Sequence, residues 1–222
     1  MGTLYIVATP IGNLGDITYR AVEILKSVNF VACEDTRHSG ILLSHYFVNK
    51  PLVSYHQHSK ISKVDWIIGR LISGESCALV SDAGTPGVSD PGGVLAAAAI
   101  EAGVKVVPIP GPSALTTLVS VLGFNSDEFL FLGFLPKKKG RQTLLKALQK
   151  EKRPIIFYES PQRFEKTMIE LLNYFGVDAQ VVIGRELTKM HETIIRGDLK
   201  KIVASLPQIE KRGEFVICLH RM

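Results

Sequence analysis

The stretch CALVSDAGTPGVSDPGG, residues 77–93, joins a short apolar run to a long loop that contains four glycines and two prolines. The run at 77–80 has the length and composition of a buried strand. A loop between a strand and a helix commonly needs only about two to six residues in an α/β protein. Because this loop is longer and its prolines stiffen it, we predict that it binds a ligand beyond the end of the strand.

Short apolar runs alternate with amphipathic stretches along the whole chain, which indicates α/β layers with a mainly parallel sheet. In the first half, strands are predicted at 4–8, 30–33, 52–55, 77–80 and 104–107, with helices at 18–27, 41–46, 64–73, 94–102 and 113–122. In the second half, strands are predicted at 129–134, 155–158, 179–184, 193–196 and 215–219, with helices at 144–150, 164–175 and 199–206. The closely spaced strands near the end favour a mixed sheet there.

The polar, turn-forming stretch GFNSDE, residues 123–128, is the best candidate for a linker. We therefore predict an α/β fold of two small α/β domains, residues 1–124 with a mainly parallel sheet and residues 125–222 with a mixed sheet. Ligand sites favour domain interfaces, so we expect the ligand cleft between these domains.

Composition limits the class of protein. Apolar residues make up 46% of the 222 residues and charged residues 21%, and the longest apolar runs are shorter than a membrane span. The N-terminus lacks the pattern of a secretory signal, so we expect a cytoplasmic protein without a membrane anchor. The cysteines, Cys33, Cys77 and Cys218, are odd in number and widely separated, which favours reduced, buried thiols. The net charge of +5 favours a polyanionic partner if the basic residues cluster, and an evenly solvated surface if they do not.

Four loops that follow predicted strands are candidate ligand sites: TPIGNLGDIT (9–18), EDTRHSG (34–40), the loop at 81–93, and PIPGPSA (108–114). Gly12 and Gly15 are spaced G-x-x-G, whereas a dinucleotide turn requires G-x-G-x-x-G and a Walker loop requires a lysine after a glycine. Prolines also lack the N–H that phosphate cradles use. These loops therefore favour a neutral or cationic ligand. His56 and His58 have no third ligand at useful spacing, so no metal is assigned.

Seven segments together resemble the bacterial ribosomal RNA small subunit methyltransferase I family: LYIVATPIGNLGDIT, ACEDTRHSG, ALVSDAGTPGVSDPG, VVPIPGPSALTTL, FLGFLPKKKGRQ, IIFYESPQRF and GRELTKMHETIIRG. The resemblance covers nearly the whole chain in order. It implies the class III, or tetrapyrrole, methylase fold, homodimerisation, and transfer of a methyl group from S-adenosylmethionine to the ribose 2′-oxygen of a decoding-centre cytidine. That cytidine belongs to 16S rRNA, which we expect to be the substrate within the small ribosomal subunit, with naked RNA as the alternative. Family members commonly continue into a small helical region, whereas this sequence stops at GEFVICLHRM, a difference that concerns RNA affinity most.

The resemblance also implies which residues hold the cofactor. Methyl transfer requires the acceptor oxygen to lie in line with the S–CH3 bond, and rigid loops supply such positioning. Cofactor contacts are implied at nine positions: Ile11, Asp82, Pro86, Val88, Ser113, Ala114, Phe157, Gly184 and Gly213. Turn geometry or packing would explain each residue taken alone. Where these residues occur inside the seven segments, we prefer cofactor binding as the explanation over turn geometry or packing.

A ribose hydroxyl is a weak nucleophile, so a nearby base or an orienting charge would help the reaction. We expect six charged residues to line the acceptor side, with no single general base: Asp35, Arg37, His38, Glu159, Arg185 and Glu186. A helix cap at Asp35 paired with Arg37, and a buried ion-pair network, are the structural alternatives.

The clearest basic cluster lies in LPKKKGRQ, residues 135–142. Phosphate contacts to RNA are expected at Lys137, Lys138, Lys139 and Arg141, and a solvated helix start is the alternative. Fold alone does not determine function. A class III methylase that acts on a tetrapyrrole or corrinoid therefore remains open, although EDTRH and PKKKGRQ support it poorly. A non-catalytic S-adenosylmethionine-sensing module, which keeps the fold without turnover, also remains open.

Overall fold

The computed structural model describes residues 1–56, 61–90 and 92–221. The chain divides into two compact units, Met1–Ser113 and Ala114–Met222. None of the helices within the described residues is both long and apolar enough to cross a bilayer.

The first unit contains a parallel sheet. Its strands are β1 (Thr3–Val7), β2 (Phe30–Cys33), β3 (Leu52–Ser54), β4 (Cys77–Val80) and β5 (Lys105–Ile109), in the order β3-β2-β4-β1-β5. All of these strand pairs are parallel. The connecting helices are α1 (Tyr19–Ser27), α2 (Thr36–His45), α3 (Ile61–Ile72) and α4 (Gly92–Glu101).

Both faces of this sheet are buried. Alternate residues of β2 enter different cores, with Phe30 and Ala32 in one and Val31 and Cys33 in the other. Every residue of β2 and β4 is buried, which is why these strands appear in the sequence as continuous apolar runs.

Helix α2 begins earlier than the sequence predicts. The prediction placed a helix at 41–46, whereas α2 begins at Thr36. The carboxylate of Asp35 accepts a hydrogen bond from Arg37 N at 2.8 Å and caps the helix. The motif EDTRH is therefore a strand end and a first helical turn, and the alternative that Asp35 caps a helix describes the structure.

The second unit contains a mixed sheet. Its elements are α5 (Ala114–Val119), β6 (Leu130–Phe134), α6 (Arg141–Leu148), β7 (Ile155–Glu159), α7 (Pro161–Phe175), β8 (Gln180–Arg185), β9 (Thr193–Asp198), α8 (Leu199–Ser205) and β10 (Phe215–His220). The strand order is β6-β7-β10-β8-β9, in which only β6 and β7 pair in parallel. The mixed sheet expected from the sequence is present.

Helix α5 belongs to the second unit. The predicted division follows residue 124, whereas the compact units divide after Ser113. Leu118 of α5 lies 3.1 Å from the position that a Cβ would take at Gly184 of β8. This packing places α5 against the second sheet.

One edge of the second sheet gathers the ends of several strands. Strand β10 runs antiparallel to both β7 and β8, and β6 runs parallel to β7. The carboxyl ends of β6, β7 and β8 therefore lie beside the amino end of β10. In this register Phe215 pairs with Glu159 on one side and with Arg185 on the other.

Candidate functional site

Hydrogen bonds link the loops that follow the parallel strands of the first unit. Thr9 and Gly84 exchange two backbone hydrogen bonds, of 2.9 and 3.0 Å, which join the loops after β1 and β4. The Thr85 hydroxyl donates to the Pro112 carbonyl at 3.0 Å, which joins the loops after β4 and β5. Three neighbouring strands thus end in loops of fixed relative position.

Two further contacts complete this arrangement. Asp35 N donates to Asp82 Oδ1 at 3.1 Å and adds the end of β2 to the set. A Cβ at Gly111 would lie only 2.9 Å from the Cβ of Ala8, so the loops after β1 and β5 approach each other closely. We call residues 8–13, 34–35, 81–90 and 110–113 the linked loops.

Asp90 closes the longest of the linked loops. Its Oδ1 accepts hydrogen bonds from Gly87 N and Gly92 N, both at 2.7 Å. A Cβ at Gly92 would lie 2.9 Å from that oxygen and from Gly87 N, so the turn requires glycine there. Asp90 is not among the site residues predicted from the sequence. An aspartate followed by proline and glycine is a signal for this kind of turn.

Five predicted cofactor positions lie in the linked loops: Ile11, Asp82, Pro86, Val88 and Ser113. Ile11 is buried, and its Cγ2 lies 3.3 Å from the position of a Cβ at Gly84. Asp82 is exposed and Val88 is half-buried. The sixth nearby position, Ala114, is the first residue of α5.

Carboxylates dominate the charge of the linked loops. Burial raises the pKa of Glu34, and the neighbouring carboxylates of Asp82 and Asp90 raise it further. Asp35 instead pairs with Arg37, at 2.7 Å and 3.1 Å, and these hydrogen bonds hold the pKa of Asp35 far below its usual value. A site of this sign suits a cationic ligand better than a phosphate.

The residues expected on the acceptor side divide between the two units. Asp35, Arg37 and His38 lie at the start of α2, where the side chains of Arg37 and His38 are exposed. Glu159, Arg185 and Glu186 lie at the edge of the second sheet described above. Their shared role in lining an acceptor stays a prediction.

Glu159 is an internal anchor. Its side chain is fully buried, with Oε1 at 2.7 Å from Arg163 Nη2 and Oε2 accepting from the Thr167 hydroxyl at 2.7 Å. Arg163 Nη1 donates in turn to the Leu135 carbonyl at 2.8 Å. Both carboxylate oxygens are therefore engaged inside the protein, as the alternative of a buried ion-pair network describes.

Arg185 is also buried, and its guanidinium group donates hydrogen bonds to backbone carbonyls. Its Nε donates to the Arg212 carbonyl at 2.7 Å, and its Nη1 donates to the His191 carbonyl at 3.1 Å. These bonds join the loop after β8 to the segment before β10. Arg185 is therefore placed to join backbone segments, whereas a residue that contacts substrate would be exposed.

Glu186 has a strained backbone, with φ of 52°. Burial alone would raise its pKa, but hydrogen bonds from Lys189 Nζ at 2.9 Å and Glu214 N at 2.8 Å outweigh burial and lower it. A Cβ at Gly213, where φ is 101°, would lie 2.5 Å from Glu186 Cγ. Gly213 is thus required for the position of Glu186, whatever else it contacts.

Packing explains two other predicted cofactor positions. Phe157 is 1% exposed and belongs to the core of the second unit, so packing explains its ring, and a cofactor contact there stays a prediction. A Cβ at Gly184 would lie 3.0 Å from Leu187 and 3.1 Å from Leu118. A hydrophobic neighbourhood therefore accounts for both residues.

The basic cluster separates into exposed and buried parts. The lysines at 137–139 are exposed, whereas Arg141 is buried. Arg141 bonds to Glu170 at 2.7 Å, to the Thr167 hydroxyl at 2.8 Å and to the Pro136 carbonyl at 3.0 Å. The expectation of a phosphate contact therefore fits the lysines, and the structure gives Arg141 a different position because its donors are used internally.

No group of three or more His, Cys, Asp or Glu side chains in the described residues is arranged to hold a metal ion. His58 lies outside the described residues. All three cysteines are buried and free.

Comparison with known proteins assigns the family. Residues 3–203 match the model of the family described as Tetrapyrrole (Corrin/Porphyrin) Methylases. A Synechocystis protein named Ribosomal RNA small subunit methyltransferase I is 46% identical over 220 residues, which cover 99% of this chain and 79% of that protein. This chain belongs to the ribosomal RNA small subunit methyltransferase I family. A Thermotoga maritima protein of the same name is 43% identical, with 99% of this chain and 98% of that protein covered.

Solved structures share the fold. A crystal structure of diphthine synthase superposes with a TM-score of 0.77 at 15% identity, covering 100% of this chain and 91% of that one. Uroporphyrin-III C-methyl transferase from Thermus thermophilus, complexed with S-adenyl homocysteine, gives 0.69 at 17% identity, covering 99% and 98%. These likenesses confirm the class III methylase fold. Because the proteins carry such different names, the fold does not select a substrate.

Proposed function

We propose that this chain transfers the methyl group of S-adenosylmethionine to the ribose 2′-oxygen of a decoding-centre cytidine in 16S rRNA, within the small ribosomal subunit. The observation that carries the proposal is 46% identity over 220 residues to a protein named Ribosomal RNA small subunit methyltransferase I. As a member of that family the chain is a methyltransferase that uses S-adenosylmethionine. The acceptor atom, the nucleotide, homodimeric assembly and a cytoplasmic location are the finer parts of the proposal.

The linked loops fit the cofactor chemically. S-adenosylmethionine carries positive charge on its sulfonium and ammonium groups, and the carboxylates of Glu34, Asp82 and Asp90 lie together on these loops. Ile11, Asp82, Pro86, Val88 and Ser113 would hold the cofactor there. When bound, it supplies a methyl group on a positively charged sulfur.

The protein's own work in this reaction is positioning. The hydrogen bonds that Thr9 and Thr85 donate, and those that the Asp90 carboxylate accepts, fix the loop backbones before a ligand arrives, which reduces the free energy needed to orient it. Hydrogen bonds from Arg37 strongly lower the pKa of Asp35, so its carboxylate is a poor proton acceptor. We assign it instead to orienting Arg37, with His38 on the same helical turn.

A substrate comparison tests the proposal. The protein is incubated with methyl-labelled S-adenosylmethionine and, separately, small ribosomal subunits from cells that lack it, naked 16S rRNA, or a tetrapyrrole. We expect label in the RNA of the subunits. Label in the tetrapyrrole alone would assign the chain to the tetrapyrrole enzymes, and cofactor binding without any transfer would assign it to the sensing modules.

A further inference from the structure

A β-bulge in β6 changes the direction of an aromatic side chain. Phe131 pairs with Ile156 and Phe134 pairs with Tyr158, so three steps along β6 match two steps along β7. Gly133 supplies the positive φ, 60°, at this irregularity. In a regular strand, residues 131 and 134 would point to opposite faces. The bulge brings both rings to the face of Tyr158, and bulges often re-aim side chains beside functional sites.

The result is an aromatic cluster that reaches the surface. The centroid of Tyr158 lies 5.1 Å from that of Phe131 and 5.5 Å from that of Phe134, both in edge-to-face geometry. Leu130 and Leu132 pack instead against the hydrophobic core. Phe134 is 55% exposed, so its ring is supported from one side and accessible from another.

A rigid segment connects this cluster to the lysines at 137–139. Arg163 donates to the Leu135 carbonyl at 2.8 Å, and Arg141 donates to the Pro136 carbonyl at 3.0 Å. Both guanidinium groups are themselves neutralised by partners on the protein, which leaves the lysines as the exposed charge of the segment. The three lysines therefore follow the ring within at most about 18 Å of chain.

We propose that Phe134, supported by Tyr158, stacks on an unpaired base of single-stranded RNA whose phosphates contact the lysines at 137–139. This inference rests on the proposed function, because it names the part of the RNA that the enzyme contacts outside the reacting ribose. Proteins that bind single strands combine a basic track with aromatic side chains on which bases stack. Sequence-specific RNA recognition likewise targets bases that are already unstacked.

Charge favours RNA over a second copy of this chain as the occupant. A two-fold contact brings the same patch of both copies into one interface, so two sets of the lysines at 137–139 would lie in it. Juxtaposed like charges oppose association. Single-stranded RNA provides phosphates that can contact the lysines and exposed bases that can stack on the ring of Phe134.

The test compares three substitutions of exposed phenylalanines. Phe134→Leu keeps an apolar side chain and removes the ring, Phe134→Trp keeps a stacking surface, and Phe47→Leu changes a ring that is 90% exposed in the first unit. The probes are fluorescein-labelled oligocytidylate and an RNA duplex of equal charge. We expect Phe134→Leu to bind oligocytidylate about ten-fold more weakly, since stacking on one aromatic ring accounts for roughly 1–3 kcal/mol.

The other variants define the mechanism. Phe134→Trp should restore the affinity and show tryptophan quenching when RNA is added, and Phe47→Leu should behave as the wild type. Duplex binding should not distinguish Phe134→Leu from the wild type. Replacing Lys138 by glutamine should lower the salt slope of binding by about 0.7.

Several results would overturn the inference. Equal oligocytidylate affinity of the wild type and Phe134→Leu would do so, and dissociation of a dimer by Phe134→Leu in sedimentation would assign the ring to a contact between copies. Should Phe134→Leu unfold, an unquenched Phe134→Trp protein would decide against stacking. Wild-type methyl transfer to small subunits, measured separately, shows whether the proposed function survives such a failure.

Discussion

Replacing Gly111 by alanine should separate two of the linked loops. The added Cβ would lie 2.9 Å from the Cβ of Ala8, whereas carbon atoms in contact prefer about 3.5–4.0 Å. Ala8 is fully buried and has no rotamer to change, so the backbone must move by roughly 0.6–1.1 Å. Overpacking of this kind costs about 1–3 kcal/mol of unfolding free energy. Because Pro112 follows Gly111, the displacement should also disturb the hydrogen bond from the Thr85 hydroxyl to the Pro112 carbonyl.

Urea unfolding and calorimetry with S-adenosylhomocysteine measure the two consequences. We expect a lower unfolding midpoint and about ten-fold weaker ligand binding, because a shift of this size misplaces the loop backbone. Gly69→Ala is the matched control, since a Cβ there meets nothing within 4 Å inside α3. It should stabilise the protein by up to about 1 kcal/mol and leave binding unchanged. A Gly111→Ala protein with the midpoint and affinity of the wild type would refute the reasoning.

Three further outcomes are expected. Asp35→Ala should cut methyl transfer at least about ten-fold while S-adenosylhomocysteine affinity stays nearly intact, and lost affinity in calorimetry would contradict its assignment to the acceptor side. Burial and the carboxylates of Asp82 and Asp90 raise the pKa of Glu34, so the folded protein binds that proton more tightly than the unfolded chain. Unfolding free energy should therefore fall as pH rises from the ordinary glutamate pKa through the raised value, and Glu34→Gln, compared by urea unfolding across pH, should be more stable at neutral pH. Burial raises the pKa of Cys77 and Cys218 to about 12, so a thiol reagent at mildly alkaline pH should label them only after unfolding, and rapid labelling of the native protein would count against their burial.

The buried strands could be predicted closely from the sequence, whereas several helix starts could not. The bounds of β2 and β4 equal the predicted 30–33 and 77–80, because a strand buried on both faces is continuously apolar. Helix α6 begins at Arg141 and α7 at Pro161, each three residues before the predicted start. The first turn of a helix carries little apolar periodicity, so its signal lies in the cap and in a proline at the first position.

Part of the candidate site could likewise be predicted from the sequence, and part could not. The loops at the strand ends can be predicted from the sequence because glycine and proline are local signals. The burial of Arg141 and Glu159 depends on Thr167 and Glu170, which lie on α7 and become neighbours only in the folded chain. Charge runs in a sequence therefore do not distinguish an RNA contact from an internal anchor.

The position of the methyl group on the RNA is the decisive measurement. Small subunits from cells that lack the protein are labelled with methyl-labelled S-adenosylmethionine, and the extracted 16S rRNA is hydrolysed in alkali. A methylated 2′-oxygen cannot attack the neighbouring phosphodiester, so we expect the label in a single alkali-stable dinucleotide that contains a decoding-centre cytidine. Label that appears only in mononucleotides, or no label in the RNA at all, would contradict ribose methylation by this chain.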